Sequence, residues 1–447
     1  MKRIELTEHF TYGKLLRYAI PSIGNMLAIM AFQLVDGYFV SNMLGGNAFA
    51  AVNLISPIFL ILYSLGFMFG TGASAVVSRH MGENHTQKAK EIFSCTTVVM
   101  IITGLILGVL GALLLPSVAP LLGATDETLD YCITYGRILL LFLAAFIVSA
   151  AFQSLWLIAG KAIMGVIVSS VTGASNVFMD WFFMGPMKMG VKGAALATSF
   201  SALISMIFIL VYFKDTSHSE LCFVRFKMHI IKKLLMICYN GASEMISALA
   251  TNITMLLING QLMKLYGETG VEAMGVFNYV TGVFMAYFFG LCTTMLTVIG
   301  FKVGEKDKVE IDNLKKQGFV LMLTGGVLMI LICQIFVRPI SNVFVGYDAD
   351  TLELTIHCLQ ISAFAYLLYG FDIFSDTFFT ALGDGLSSII ISAMLSLVMP
   401  IALIFFLPAV FGREAIWYTF PLMTVFTAIL CVFMFHFRYK KVDSAPL

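Results

Sequence analysis

Two aspartates lie inside long apolar segments of the first half of this chain, and polar residues accompany them at helical spacing. Asp36 sits in AIMAFQLVDGYFVS and Asp180 in GASNVFMDWFF. Asn176 precedes Asp180 by one helical turn, so the two share a face. Thr198 follows in AALATSFSALI. A carboxylate in hydrocarbon is costly, and an ionisable residue there marks an ion, proton or substrate path. Asp36, Asn176, Asp180 and Thr198 offer hard oxygen donors, which suit a small hard cation better than a transition metal. Two carboxylates around one Na+ leave negative charge over, which also suits a proton or a cationic cargo. The plain alternative is a structural ion pair with Lys192 or Arg137.

The elements that position these residues are membrane helices. The 447 residues are 59% hydrophobic and 12% charged, with a mean hydropathy of +0.93. Soluble domains carry about 25% charged residues, so there is almost no room for one here. The net charge of +1 gives no nucleic-acid signal. The stretch MKRIELTEHFTYGKLLRYAIPS is read as leading into the first span rather than as a signal peptide, since no small-residue cleavage site follows. A helical span needs about 20 mostly apolar residues. About twelve such stretches occur, at 14–41, 49–78, 92–115, 130–158, 162–184, 191–213, 233–264, 272–300, 316–337, 352–381, 386–408 and 415–436. The alternating strands of a membrane barrel, roughly 10 residues each, are not visible. The expected fold is an all-α polytopic membrane protein.

Span ends set a depth for the candidate residues. Asp36 lies about five residues before the outer end of span one, and Asp180 about four before that of span five. Thr198 lies about seven after the outer start of span six. At 1.5 Å per residue all three fall within roughly 6–11 Å of the outer boundary.

The loops give orientation. With the N-terminus inside, the inner segments hold 21 Lys and Arg and the outer ones five, Lys188, Lys192, Lys264, Arg338 and Arg413. Arg137 is left within a span. Such a bias follows the positive-inside rule and places both termini in the cytosol.

The two halves repeat. Gly82-Glu83 matches Gly304-Glu305 at a shift of 222 residues. Gly123 with Thr128 matches Gly346 with Thr351, and Gly160 matches Gly383, at a shift of 223. Each half carries six spans in the same orientation, so the repeat predicts two six-helix lobes about a pseudo-two-fold axis along the membrane normal, with a substrate cavity between them. The lobes are expected at 1–213 and 233–447, joined by a cytosolic linker at 214–232.

Pro21, Asp36-Gly37, Gly45, Ala48, Ala50-Ala51 and Pro57, with GASNVFMDWFFM and GVKGAALATSFS, resemble the multidrug and toxic compound extrusion (MATE) family, and the resemblance covers essentially the whole chain. It implies a twelve-helix, two-lobed, V-shaped exporter that exchanges Na+ or H+ for organic cations. It places the N-lobe cation site on Asp36, Asn176, Asp180 and Thr198. It places C-lobe substrate or proton positions on Glu244 in GASEMIS and Asp372 in GFDIFSD. Asp376 lies one turn beyond Asp372. Glu244 and Asp372 each lie about eleven residues from an inner span end, at one expected level. Asn240, Asn252 and Tyr369 are the side chains that would cap them in a purely structural role.

The remaining residues narrow the class. The eight cysteines are scattered, with no CxxC pair, and read as packing residues. The seven histidines sit mostly in loops or at span ends, against a buried histidine relay. No Walker loop, GxSxG or HExxH occurs, so neither an enzyme nor an ATP-driven pump is expected, and no cofactor beyond the coupling ion. The 27 Met and 40 Phe can line an adaptable cavity, though most face lipid or other helices. A flippase for lipid-linked oligosaccharides, of the related superfamily, would place Arg or Lys in its cavity. Basic residues here fall in loops, Arg137 excepted. A receptor leaves the duplication around buried acids unexplained. The expected protein is a monomeric, multi-pass plasma-membrane antiporter for cationic amphipathic small molecules. The donor set tips the coupling ion toward Na+.

The charge bias generates a test. In a chain without its native cysteines, cysteines placed at Ser217 and Asp312 should be shielded from impermeant thiol reagents in intact cells, and one at Glu268 labelled. Labelling in the opposite sense would reverse the orientation.

Overall fold

The computed structural model describes residues 7–43, 46–122, 124–215, 221–227, 230, 232–346 and 348–439. Lys2, Arg3, Gly45, Gly123, Ser217, Lys440 and Lys441 lie outside the described residues. Among the described residues the regular structure is helical throughout, with no strand.

The first half of the sequence forms α1 (Tyr12–Met43), α2 (Gly46–Gly82), α3 (Thr86–Val118), α4 (Asp126–Leu141), α5 (Leu143–Ile158), α6 (Ala162–Met184) and α7 (Val191–Lys214). The second forms α8 (Lys232–Tyr266), α9 (Glu268–Glu305), α10 (Lys308–Val345), α11 (Ala349–Ser362), α12 (Tyr366–Leu382), α13 (Gly385–Ala393), α14 (Met399–Phe411) and α15 (Thr419–Met434). Eleven helical stretches among the described residues are long and apolar enough to cross a membrane. The α4–α5 pair, bent by 57°, makes twelve if counted as one broken span. The expected fold class stands: an all-α protein of membrane-spanning helices.

The repeat returns in the backbone. Asn84 and Lys306 share φ +59, Gly160 and Gly383 take φ +66 and +82, and Gly190 and Gly412 take φ +55 and +83. These pairs are spaced by the same 222 or 223 residues as the sequence matches. Gly160 and Gly383 end α5 and α12 in the left-handed region, where a Cβ is disfavoured. Thr128 closes a capping box on Thr125 at the start of α4, its Oγ1 taking the Thr125 N–H at 3.0 Å. Thr351, its repeat partner, donates its N–H to the Asp348 cap of α11 at 2.9 Å. The break at Phe142 between α4 and α5 also recurs, as the short 3₁₀ turn Ala363–Ala365 between α11 and α12.

The chain packs as two compact units. One runs from Ala19 to Met245, and the other joins the described residues up to Tyr18 to those from Ile246 onward. The boundary therefore falls inside α1 and inside α8. Within the first unit, small residues let helices meet at the backbone, as apolar lipid-facing helices require. A Cβ on Gly66 would lie 2.6 Å from Ala150 Cβ, and one on Gly70 would lie 2.7 Å from the Ala151 backbone. One on Gly72 would lie 2.0 Å from Ile237 O. These glycines are contact sites between α2 and α5 or α8.

Gly70→Val should therefore cost about 1–3 kcal/mol by forcing α2 from α5, and lower the melting temperature of the detergent-solubilised protein. Gly275→Ala meets nothing within 4 Å and should leave the melting temperature unchanged or slightly raised. Equal melting temperatures for both variants would refute the close α2–α5 contact.

Candidate functional site

α1, α6 and α7 bring the first-half residues together near the ends that the charge bias assigns to the outside. α1 ends at Met43, seven residues beyond Asp36, and α6 at Met184, four beyond Asp180. α7 starts at Val191, seven before Thr198. At 1.5 Å per residue these distances are roughly 6–11 Å, the level read from the sequence. Asp180 is 0% exposed. The Asp36 carboxyl faces the Asp180 carboxyl and the Asn176 amide. Asp36 Oδ1, both Asp180 carboxyl oxygens and Asn176 Nδ2 are buried and make no hydrogen bond among the described residues.

The plain alternative of a structural ion pair does not describe this arrangement. Arg137 donates its Nε to Ala112 O at 3.2 Å. The Thr198 hydroxyl donates to Ala194 O at 3.0 Å, which leaves its lone pairs to accept from or coordinate a guest.

Asp36, Asn176 and Thr198 open onto a cavity of about 210 Å³. Ile29, Phe32 and Phe146 supply apolar wall, and Tyr63, Ser149, Gln153, Ser169, Thr172, Ser201 and Ser205 supply polar groups. Phe32 is seated by Gly173, where a Cβ would fall 2.1 Å from the Phe32 ring. Sequence reading missed these polar groups, although a signal existed. Ser169, Thr172 and Asn176 on α6 repeat at helical spacing, as do Thr198, Ser201 and Ser205 on α7. Tyr135 on α4, within electrostatic reach of both aspartates, had no such signal.

The other predicted positions fall on two helices. Asp372 and Asp376 lie on α12 in the second unit, and Glu244 on α8 in the first. Asp372 is 0% exposed, with Cys431 Sγ of α15 at 3.9 Å from Oδ1. Ser392 Oγ of α13 donates to Asp376 Oδ2 at 2.7 Å. At the repeat shift of 223, Asp372 and Asp376 occupy the positions of Ser149 and Gln153. The two α12 acids thus fall where the first half lines its cavity with neutral polar groups. Of the expected caps, Asn252 instead donates to Ala248 O at 2.8 Å.

Chemically, two facing carboxyls with unpaired buried oxygens repel and are poorly solvated, a cost of several kcal/mol unless a cation or proton joins them. The donor set at hand, carboxyl, amide and hydroxyl, fits either guest.

Comparison with known proteins gives one family. The MatE family model matches residues 21–182 and 244–406. Multidrug export protein MepA of Staphylococcus saprophyticus is 25% identical, the alignment covering 97% of this chain and 96% of that one. MepA of Staphylococcus aureus is 24% identical, covering 98% and 96%. Among solved structures, an outward-facing multidrug resistance MATE family transporter of the MOP superfamily superposes with a TM-score of 0.90 at 21% identity, covering 100% and 99% of the chains. A MOP superfamily transporter from Pyrococcus furiosus, described as having a binding pocket of reversed polarity, gives 0.87 at 20% identity, covering 99% of both.

The Gly173–Phe32 contact offers a test of the cavity wall. Gly173→Ala should lower the melting temperature, because the Phe32 ring must leave its place. In the Phe32→Ala background the same change should cost less, by about 0.5 kcal/mol or more of coupling. Additive losses would show that the ring does not lie on Gly173.

Proposed function

Because the chain belongs to the MatE family, we propose that it is a plasma-membrane multidrug exporter, an antiporter that exchanges an inward-moving cation for cationic amphipathic compounds. The observation that carries this reading is the facing pair Asp36 and Asp180, with unpaired oxygens, of which Asp36 lines a polar and aromatic cavity. The relatives named as multidrug export proteins support the cargo class.

The pair gives exchange a physical basis. Its negative charge attracts a cationic drug or a small cation, but both together would neutralise it. A cation that binds from outside therefore lowers drug affinity, and by reciprocal linkage the drug lowers cation affinity by the same factor. Phe32 and Phe146 offer apolar faces to an aromatic ligand, and Ser149, Gln153 and Ser205 offer hydrogen bonds. At about 210 Å³ the cavity is smaller than the roughly 300–1,000 Å³ of drug pockets. It suits a cation with its water, and the wall must move outward for a drug to enter.

Asn176 and Thr198 favour Na+ as the coupling ion, since a dehydrated Na+ needs several oxygens to replace lost water and a proton needs one carboxyl. The proton reading draws on the same two aspartates, because like charges held close favour sharing a proton. Glu244, Asp372 and Asp376 are assigned to substrate or proton handling in the second half. The chain acts as a monomer with both termini in the cytosol.

Asp36→Asn and Asp180→Asn should each abolish ethidium efflux from cells while the protein still reaches the membrane. Wild-type efflux by either variant would remove the pair from the mechanism. In inverted vesicles, Asn176→Ala and Thr198→Ala should each raise the apparent Na+ dissociation constant roughly tenfold, as expected for one lost contact of about 1.4 kcal/mol. Normal transport by both variants, driven by a pH gradient alone, would reassign the aspartates to protons.

A further inference from the structure

The segment ahead of α1 is gripped by polar side chains of the second half of the sequence. Glu310, at the start of α10 and 4% exposed, accepts the Phe10 N–H on Oε1 at 2.8 Å. Its Oε2 lies 2.7 Å from His9 Nδ1. Asn313 Nδ2 donates to Phe10 O at 3.0 Å and lies 3.2 Å from each Glu310 oxygen. Gln317 Nε2 donates to the same Phe10 O at 2.7 Å. Glu310, Asn313 and Gln317 follow helical spacing on one face of α10. From α9, Lys302, 2% exposed, donates Nζ to Thr7 O at 3.0 Å and to Glu305 Oε2 at 2.8 Å. Phe10 itself is 0% exposed and meets Tyr18 edge-on, with ring centroids 6.1 Å apart.

Stability alone does not account for this chemistry. A contact that stays shut is held as well or better by apolar side chains than by buried charges, and the best-attested use of buried ionic groups is as registers and switches. A contact that opens into water is different. Its polar groups regain hydration, so each hydrogen bond costs only about 1 kcal/mol to exchange. An apolar seal would lose roughly 25 cal/mol for every Å² exposed. The charge bias puts both partners of the clamp on the cytosolic side, where water is at hand.

Nor is the clamp a relic of duplication. At the repeat shift of 222, Glu310, Asn313 and Gln317 correspond to Lys88, Glu91 and Cys95. The acid–amide–amide face has no first-half equivalent. The gripped segment leads directly into α1, which continues past Pro21 to Asp36. One helix thus joins the clamp to the candidate cation site.

We propose that residues 7–10 and the Glu310–Asn313–Gln317 face, with Lys302, form an inner latch that opens in each transport cycle and frees the start of α1. Glu310 is its positioning residue: it touches neither ion nor drug but fixes where α1 begins. The proposal rests on the transport reading above.

The test is to bridge the latch. In the full chain with its native cysteines replaced, His9→Cys and Glu310→Cys are joined by a short bis-methanethiosulfonate reagent, and ethidium efflux is followed in proteoliposomes. Complete bridging should slow efflux by about fivefold or more, consistent with removal of the open population, and dithiothreitol should restore it. A smaller loss under complete bridging would overturn the latch and leave the transport reading intact. Absence of efflux from wild-type protein would overturn the transport reading, and the latch with it. If the double variant does not reach the membrane, amide exchange in the wild-type protein decides. The peptide spanning residues 7–18 should exchange at different rates in ethidium-bound and Na+-bound protein, and equal rates would overturn the latch.

Discussion

Two carboxyls that face each other at membrane depth, three of their oxygens buried without a hydrogen-bond donor, set the terms for the first half of this protein. Asp36 and Asp180 cost several kcal/mol in that position. They persist only if the helices that carry them cannot swing apart to solvate them. The packing supplies that restraint. Gly66 and Gly70 bring α2 onto the α5 backbone, and Gly173 seats Phe32 of α1 against α6. Lipid tails are as apolar as the helices, so burial adds little to helix association, and close backbone contact of this kind is what holds the unit.

The duplication is one of backbone more than of chemistry. Left-handed residues, helix caps and the mid-span break recur at 222 or 223 residues. The acids do not. The first half carries charge on α1 and α6, and the second carries it on α8 and α12, the α12 acids at the positions of Ser149 and Gln153. An ancestral pair of like bundles would keep its turns, because a left-handed residue at Gly160 or Gly383 permits few substitutions. A polar lining position tolerates many, so charge could be redistributed between the halves while the frame stayed fixed.

Helix ends matter here as much as helix middles. α1 begins among the polar groups of α9 and α10 and passes into the other compact unit after Tyr18. α8 is likewise divided after Met245. These two helices therefore belong to both units, and Pro21 interrupts the backbone ladder of α1 close to its boundary.

The sequence by itself determined the solvent and the approximate number of spans, and its charge bias sets the direction expected for them. Hydropathy, span length and the distribution of Lys and Arg are local quantities that summation along the chain reveals. It also exposed the repeat, and it exposed Asp36 and Asp180, because charge inside an apolar run is visible without coordinates. The tertiary structure decided which residues meet. That Tyr135, Gln153 and Tyr63 belong near Asp36 depends on helices packing side by side, which periodicity does not encode. Glu310 reads in the sequence as an ordinary loop-end acid, and its partner Phe10 is separated from it by 300 residues. The break at Phe142 was equally hidden, since the sequence reads as one span where the structure bends by 57° between α4 and α5. Composition fixes what each segment must be buried in, and only packing fixes what it is buried against.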